Sequence, residues 1–545
     1  MSYFLGGLQQ ATLRYVQDQL VIPVSLSGGQ EIRDASLQLQ ITPSAALDSQ
    51  SWLSIAVNGL VLGQSPLSPG SKGLEQKFSL PARFFHTGYN EITLQAVQHY
   101  TQTCEYPMAP QLWSQVNLDH SSLRLRILPQ PWKGNLADLS TLFTPSSLAK
   151  HAVISLFLPR SEQGLENLTA AALAVEGVAL RYQYLPTQAL SYPLSAQSFQ
   201  KWLQEPDPIG PKIALFLGSQ AELGAVLASA AVTQIPSSPT LLLLRWQEHP
   251  NHIGIALVGS GPQLTDLASA FAQPKLPLPP LDRVQLTSIR TPRDLELPFR
   301  SQPFEKSFFD LQSLGFTTAT QRGTNPQPFT LRFWNGGWER KAQLRLHLAY
   351  AAGMSTQSAL NIEINGVEQN SIPLNNPDGG RYADYAVTIA PTMMHPGWNQ
   401  LVLQPVLIPQ SNGGECRPFF PGNLWVTVYD DSTFQWMTKG ASSQQPDLAP
   451  LADAAYPFAA QGDTDPLTIQ LSAAHSPEVN AAMTLLGKLA QRAGHPFTQV
   501  KFVVNPHPEE RSNLYIGAFA GDQAWSQIPG GRGALQEIRL PVGYQ

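Results

Sequence analysis

The chain repeats itself. WLSIAVNGLVL (Trp52–Leu62) is answered by ALNIEINGVEQ (Ala359–Gln369), so that Asn58-Gly59 matches Asn365-Gly366 at an offset of 307. FFHTGYNEITLQAV (Phe84–Val97) is answered by MMHPGWNQLVLQPV (Met393–Val406), with Gly88 matching Gly397 at 309. CEYPMAPQLW (Cys104–Trp113) is answered by CRPFFPGNLW (Cys416–Trp425), where cysteine and tryptophan both keep an offset of 312. Three blocks in one order with a slowly growing offset are homologous copies that differ by small loop insertions. Both copies must therefore share a fold, and the chain between them must be another unit.

The copies read as antiparallel β. Ala35–Thr42 (ASLQLQIT), Ile92–Val97, Leu123–Leu128 and Leu344–Leu348 alternate apolar and polar residues, which gives each strand one buried and one wet face. Asn58-Gly59 and Asn365-Gly366 stand between strand-like runs, a hairpin signal because both central residues of such a turn need positive φ. Many short strands with turns predict a jelly-roll β-sandwich for each copy. Between the copies the grammar changes. His151–Leu158, Lys212–Leu217, Thr240–Leu244 and Ile253–Val258 are continuous apolar strands, interleaved with helices expected over Glu162–Glu176, Gln220–Ala231 and Gln263–Phe271. Fully apolar strands alternating with helices predict a parallel sheet covered on both faces, flavodoxin-like in plan. Leu467–Leu471, a helix over Pro477–Ala493, Val500–Val504 and Asn513–Gly517 echo that unit in shorter form. The expected domains are a β-sandwich over residues 1–145, an α/β module over 146–280, a second β-sandwich over 281–440 and an incomplete α/β module over 460–545. The proline-rich Gln273–Arg300 and the Ser/Gln/Ala/Pro-rich Ala441–Asp465 serve as linkers.

Composition narrows the function. Of the 545 residues 43% are hydrophobic, enough for several cores, and only 13% are charged. A net charge of −5 without a basic stripe argues against nucleic-acid partners. No apolar run approaches the roughly 20 residues that cross a bilayer. The start, MSYFLGGLQQ, lacks the charged and apolar regions of a signal peptide. That leaves a cytosolic chain or a mature one, and the low charge favours the mature reading.

Signatures of catalysis are missing: the sequence holds no HExxH, no GxSxG and no GxxxxGK[ST]. Gly259-Ser260-Gly261 lacks the third glycine of a dinucleotide loop and reads as a tight strand-to-helix turn. His249 and His252, in EHPNHIG, read as a solvated turn rather than a metal site. Asp430-Asp431 and Glu509-Glu510 look exposed and do not suggest a glycosidase pair. No cofactor or metal is expected. Aromatic residues are more suggestive, since flat rings suit the CH faces of sugars. Trp113, Trp425, Trp398, Tyr89, Tyr100 and Tyr106 gather near the duplicated motifs. Trp113 and Trp425 recur at one place in both copies and are better explained as core. Tyr100 and Tyr106 flank Cys104 in a polar stretch and are expected to be more exposed. Cys104 and Cys416 occupy equivalent positions; a disulfide joining the β modules is favoured over two buried thiols, and it would require an oxidising compartment.

ASLQLQITPSAALDSQSWLSIAVNGLVLGQSPL and HTGYNEITLQAVQHYTQTCEYPMAPQLW together resemble the regulatory (B) subunit of bacterial cellulose synthase, the cyclic-di-GMP-binding regulatory protein family. Two jelly-roll carbohydrate-binding modules alternating with two flavodoxin-like modules match that family over essentially the whole chain. The resemblance implies a non-catalytic periplasmic subunit, anchored to the inner membrane by a C-terminal helix that this chain lacks. Its partners would be the membrane-embedded catalytic subunit and the emerging β-1,4-glucan. Tyr100, Cys104, Glu105, Leu112 and Trp113 match the family motif. Of these, Tyr100, Glu105, Leu112 and Trp113 are the implied glucan contacts. No RxxxR or DxSxxG element points to direct nucleotide binding. The alternatives are a protein-docking scaffold of an exopolysaccharide secretion complex and a polysaccharide hydrolase.

Overall fold

A computed structural model describes residues 8–71, 73–146, 149–159, 167–205, 211–232, 239–274, 276–286, 308–323, 326–335, 341–395, 397–410, 423–437, 451–452, 455, 458, 467–504 and 513–517. Cys416, Glu509-Glu510, most of both expected linkers and the end of the second α/β module lie outside these residues.

The first copy contributes β1 (Gln10–Arg14), β2 (Gln17–Leu26), β3 (Gln30–Pro43), β4 (Trp52–Val57), β5 (Leu60–Pro66), β6 (Leu74–Leu80), β7 (Gly88–Val97) and β8 (Trp113–Pro129). They make two antiparallel sheets with orders β1-β8-β3-β6 and β2-β7-β4-β5. Alternation dictates the packing. Leu37, Leu39 and Ile41 of β3 are fully buried, and they share one core with Ile22, Ile55 and Leu94 of the facing sheet. Each such side chain stabilises the sandwich by about 1.5–3 kcal/mol. The β4–β5 turn is the expected hairpin, with Asn58 at φ 49° and Gly59 at φ 80°.

An α/β unit follows: β9 (Ala152–Leu158), α1 (Leu168–Tyr182), β10 (Thr187–Pro193), α2 (Ala196–Gln204), β11 (Lys212–Gly218), α3 (Gln220–Ser229), β12 (Thr240–Trp246), β13 (His249–Val258), α4 (Gly261–Ala272) and β14 (Arg283–Gln285). The sheet order is β10-β9-β11-β13-β12-β14. β10, β9, β11 and β13 run parallel, but β12 is antiparallel to both β13 and β14. The expectation of a wholly parallel sheet is thus corrected: β12 and β13 form a hairpin, whose apolar runs look the same as crossover-linked strands. EHPNHIG is accordingly a solvated turn only at its start: Glu248 is exposed in the β12–β13 turn, the residues from His249 onward belong to β13, and His252 is buried, edge-on to Trp202 at 4.7 Å. β14 carries the sheet past residue 280, into the stretch expected to be linker.

The second copy supplies β15 (Phe308–Asp310), β16 (Ala319–Arg322), β17 (Phe329–Asn335), β18 (Ala342–Tyr350), β19 (Ala359–Ile364), β20 (Val367–Pro373), β21 (Gly380–Ile389), β22 (Gly397–Val406), β23 (Trp425–Val428) and β24 (Thr433–Trp436). One sheet runs β17-β22-β19-β20; the other runs β15-β24-β18-β23-β16, with β21 also on β18. β23 and β24 together take the place of the long β8. The Asn365-Gly366 hairpin repeats the turn angles, 53° and 79°.

Last come β25 (Leu467–Leu471), α5 (Ser476–Ala493), β26 (Val500–Val504) and β27 (Asn513–Ile516), in a parallel sheet of order β26-β25-β27. This small unit shares one hydrophobic core with the first α/β unit. α1 lies between α4 and α5, and nearly all of it is buried. That helix runs Leu168–Tyr182 rather than ending at Glu176. Gly177 lies inside it because a Cβ there would meet the Ala272 Cα at 2.8 Å. α5 also finishes the edge of β10: the Ala189 N–H donates to Thr484 Oγ1 (3.0 Å) and the Ser191 N–H to Asn480 Oδ1 (2.6 Å). Side chains thereby satisfy an edge that would otherwise invite another strand. Within the α1–α5 packing Glu176 is fully buried. Its Oε2 accepts from the Phe497 N–H at 2.7 Å, and its Oε1 has no hydrogen-bond partner among the described residues.

The first sandwich is fastened to the α/β unit. The Gly28 N–H donates to the Thr141 carbonyl at 2.8 Å, and Trp132 Nε1 donates to Thr141 Oγ1 at 3.1 Å. Only glycine fits at 28, since a Cβ would lie 2.5 Å from Trp132 Cδ1.

Candidate carbohydrate-binding surfaces

The residues singled out in the first copy fall in the loop between β7 and β8. Gln98 anchors its start: fully buried, it donates through Nε2 to the Tyr15 carbonyl (2.8 Å) and accepts from Ser114 Oγ (2.7 Å). The Glu105 carboxylate accepts from the Tyr100 N–H (3.3 Å) and pairs with His99 Nδ1 (2.9 Å). Tyr100 Oη in turn accepts from the Tyr106 N–H at 2.8 Å. These bonds close a compact loop, and Glu105 serves as its organiser.

Both tyrosines sit lower than expected. Tyr100 and Tyr106 are half-buried and pack on the sandwich core, so they are not freely exposed. Leu112 is only 1% exposed and belongs to that core; it offers no face to a sugar, and its place in the expected contact set is corrected. Trp113 is half-exposed, opens β8 and stands opposite Arg14; in the second copy Trp425 stands opposite Arg322. The structure thus joins Tyr100 to Glu105, puts Leu112 inside and sets Trp113 on the strand that follows. Cys104 is disulfide-bonded; the sequence has one other cysteine, Cys416, outside the described residues.

The duplicated H-x-G-[YW]-N motif has a structural task. Asn90 is fully buried; its Oδ1 accepts from the His86 N–H and Asn58 Nδ2, both at 2.9 Å, and its Nδ2 donates to the His86 carbonyl (2.7 Å). Asn58 Oδ1 accepts from the Glu91 N–H at 3.0 Å. In the second copy Asn399 does the same with His395 and Asn365, and the Gln400 N–H donates to Asn365 Oδ1. Each Asn–Asn pair pins an Asn-Gly hairpin to the neighbouring strand. The aromatic between glycine and asparagine has diverged in use. Trp398 packs against the α/β core, whereas Tyr89 is 57% exposed. No group of three His, Cys, Asp or Glu suited to a metal occurs among the described residues.

Two antiparallel sandwiches with matched internal networks, joined to an α/β body, define a duplicated β-sandwich protein. Residues 4–129 match the family described as cellulose synthase BcsB, first CBM domain, and residues 309–433 match cellulose synthase BcsB, second CBM domain. The chain belongs to this family of cellulose synthase regulatory subunits. It is 25% identical to a cyclic di-GMP-binding protein of Pseudomonas fluorescens (strain SBW25), an alignment covering 92% of this chain and 67% of that one. A cyclic di-GMP-binding protein of Xanthomonas axonopodis pv. citri is 24% identical, covering 92% of this chain and 65% of its own length. The chain therefore spans about two thirds of these relatives. Among solved structures, a carbohydrate-binding module CBM36 in complex with calcium and xylotriose is similar at 10% identity over 24% of this chain and 99% of that one, with a TM-score of 0.15.

Proposed function

We propose that this chain is a non-catalytic accessory subunit of a cellulose synthase complex that receives nascent β-1,4-glucan beside the membrane-embedded catalytic subunit and guides it outward. The observation that carries this reading is the match of both β modules to carbohydrate-binding domains of one cellulose synthase subunit. In this reading the sandwiches are jelly rolls, which the order β1-β8-β3-β6 against β2-β7-β4-β5 supports, and the α/β units are flavodoxin-like, supported by the order β10-β9-β11 at one edge of the larger sheet. The same reading places the chain in the periplasm at the inner membrane. A Cys104–Cys416 disulfide between the β modules belongs with it, because Cys104 is bonded and a disulfide persists in an oxidising compartment. Among the described residues no helix is long and apolar enough to cross a membrane. Tyr100 and Glu105, on the loop, and Trp113, on the strand that follows it, are the contacts of the family motif that retain exposed surface.

The test is a titration of tryptophan fluorescence against cellohexaose, with maltohexaose and chitohexaose as controls. Selective saturation by cellohexaose is expected, and no response to any of the three would overturn glucan binding. The scaffold reading draws on Trp398, an aromatic at the duplicated motif that is committed to protein packing. It predicts silence in this titration.

A further inference from the structure

The junction between the first sandwich and the α/β unit is not filled. It opens a cleft of about 870 Å³, within the size range of ligand sites. Ser25 and Tyr89 stand on the sandwich wall; Ser140, Lys150, Gln183 and Tyr184 stand on the other. Tyr89 is 57% exposed and Tyr184 67%, so both walls present an aromatic ring to the space between them. A second cavity of about 660 Å³ shares Thr144, Ser146, Ala149 and Leu185 with the first, and the pair runs on along the junction as a groove.

Three further observations bear on what this groove holds. Among the described residues no aspartate or glutamate lines the larger cleft, and hydroxyl and amide groups provide much of its polar surface. Of its two cationic residues, Arg181 is committed: its guanidinium donates to the Gly177 and Phe271 carbonyls, both at 2.8 Å, and stacks on Phe271. With Lys150 as the other cation, the hydroxyl, amide and ring groups left over suit a hydroxyl-rich ligand with apolar ring faces. Next, the adjoining cavity reaches Ala152 and Lys212, the first residues of β9 and β11. It lies at the amino ends of the parallel strands, opposite the end where such sheets take nucleotides and flavins. Finally, the backbone before Tyr184 is strained: Gln183 has φ 54° and ψ −103°, at the end of α1. Backbone strain of this kind at a non-glycine residue clusters at ligand clamps and functional sites.

We infer that this interdomain groove binds a segment of β-linked glucan, with Tyr89 and Tyr184 stacking on sugar faces and Ser25, Ser140 and Gln183 meeting the hydroxyls. This rests on the glucan-binding reading above and gives it a second site, apart from the Tyr100 loop. Comparison of the copies explains why the site is in the first one. The position of Tyr89 turns toward the α/β body in both, but in the second copy Trp398 packs against protein there. Because Gly28, Trp132 and Thr141 fasten the junction, its walls are set before the ligand arrives, which lowers the ordering cost of binding.

The experiment is calorimetric titration of the full chain with cellohexaose, for wild type, Tyr89→Ala, Tyr184→Ala, the two Tyr→Phe variants and Tyr100→Ala. Each alanine variant at 89 or 184 should weaken cellohexaose about five- to tenfold, the value of one lost ring stack, and the phenylalanine variants should bind within about twofold of wild type. Both tyrosines are exposed, so folding should survive, and circular dichroism checks it. As a direct reading of the site, cellohexaose should slow nitration of Tyr89 and Tyr184 by tetranitromethane, followed residue by residue in mass spectra. Wild-type affinity in both alanine variants, or nitration unchanged at saturating sugar, overturns the groove while leaving glucan binding intact; the groove would then suit an extended peptide instead. Loss of binding in Tyr100→Ala alone returns the site to the loop. Absence of binding by wild type overturns the reading on which the proposal stands.

Discussion

Replacing Glu176 by glutamine should make the α/β body less sensitive to pH. The carboxyl is fully buried where α1 meets α5, and burial pushes it well above the usual carboxylate range; the Phe497 N–H, which favours the ionised form, opposes this only in part. In the folded protein the group is held neutral well above the pH at which the unfolded chain ionises it, about 4.3. Between the two pKa values the folded state binds the extra proton, so stability falls as pH rises, by up to about 1.4 kcal/mol per pH unit. Below the unfolded value this stabilisation is complete; above the folded value it is gone. Glutamine keeps an acceptor for the Phe497 N–H and cannot ionise. Its extra buried donor costs about 1 kcal/mol, so the variant should be slightly less stable than wild type at pH 5 and more stable at pH 8. The α-helices of the described residues longer than one turn all lie in the α/β units. Urea unfolding followed by helical circular dichroism therefore reports this body, and the difference between variant and wild type cancels the other titrating groups. Parallel stability–pH curves for the two proteins would refute a neutral buried acid at 176.

Two further outcomes follow from the duplication. Asn90→Ala and Asn399→Ala should each cost about 1–3 kcal/mol, because each removes the buried amide that accepts from a histidine N–H and from the hairpin asparagine; thermal scans showing loss in only one copy would break the equivalence of the networks. Alkylation of the unfolded, unreduced chain should add no adduct by intact mass, and two should appear after reduction; two adducts without reductant would exclude the Cys104–Cys416 bond.

Much of the fold was legible because its causes are local. Alternation in Ala35–Thr42 places Leu37, Leu39 and Ile41 on one face whatever lies opposite, and Asn-Gly supplies the positive φ of a hairpin without outside help. Where the cause was tertiary the sequence misled. Leu241–Leu244 and Ile253–Val258 are apolar in either strand direction, so nothing in them distinguishes a hairpin from a crossover. Gly177 resembles a helix stop and is instead a point of close approach between α1 and α4. Pro250 and Asn251 suggested solvent, while the packing of Trp202 on His252 draws their strand into the sheet.

The candidate site shows the same division more sharply. A recurring motif marks what both copies need, and what both need is folding: the buried asparagine pair, the strand-opening tryptophan, the core leucine. Binding is better sought where the copies differ, since a ligand needs surface that packing has not consumed. Tyr89 and Trp398 occupy one motif position, yet one ring faces an open cleft and the other a protein core. Tyr184 carried no sequence signal at all, because its exposure depends on the turn at Gln183 and on a sandwich far away in sequence. A motif match could nominate the Tyr100 loop, but only the fastening of the first sandwich to the α/β unit brings Tyr89 and Tyr184 to the walls of one groove.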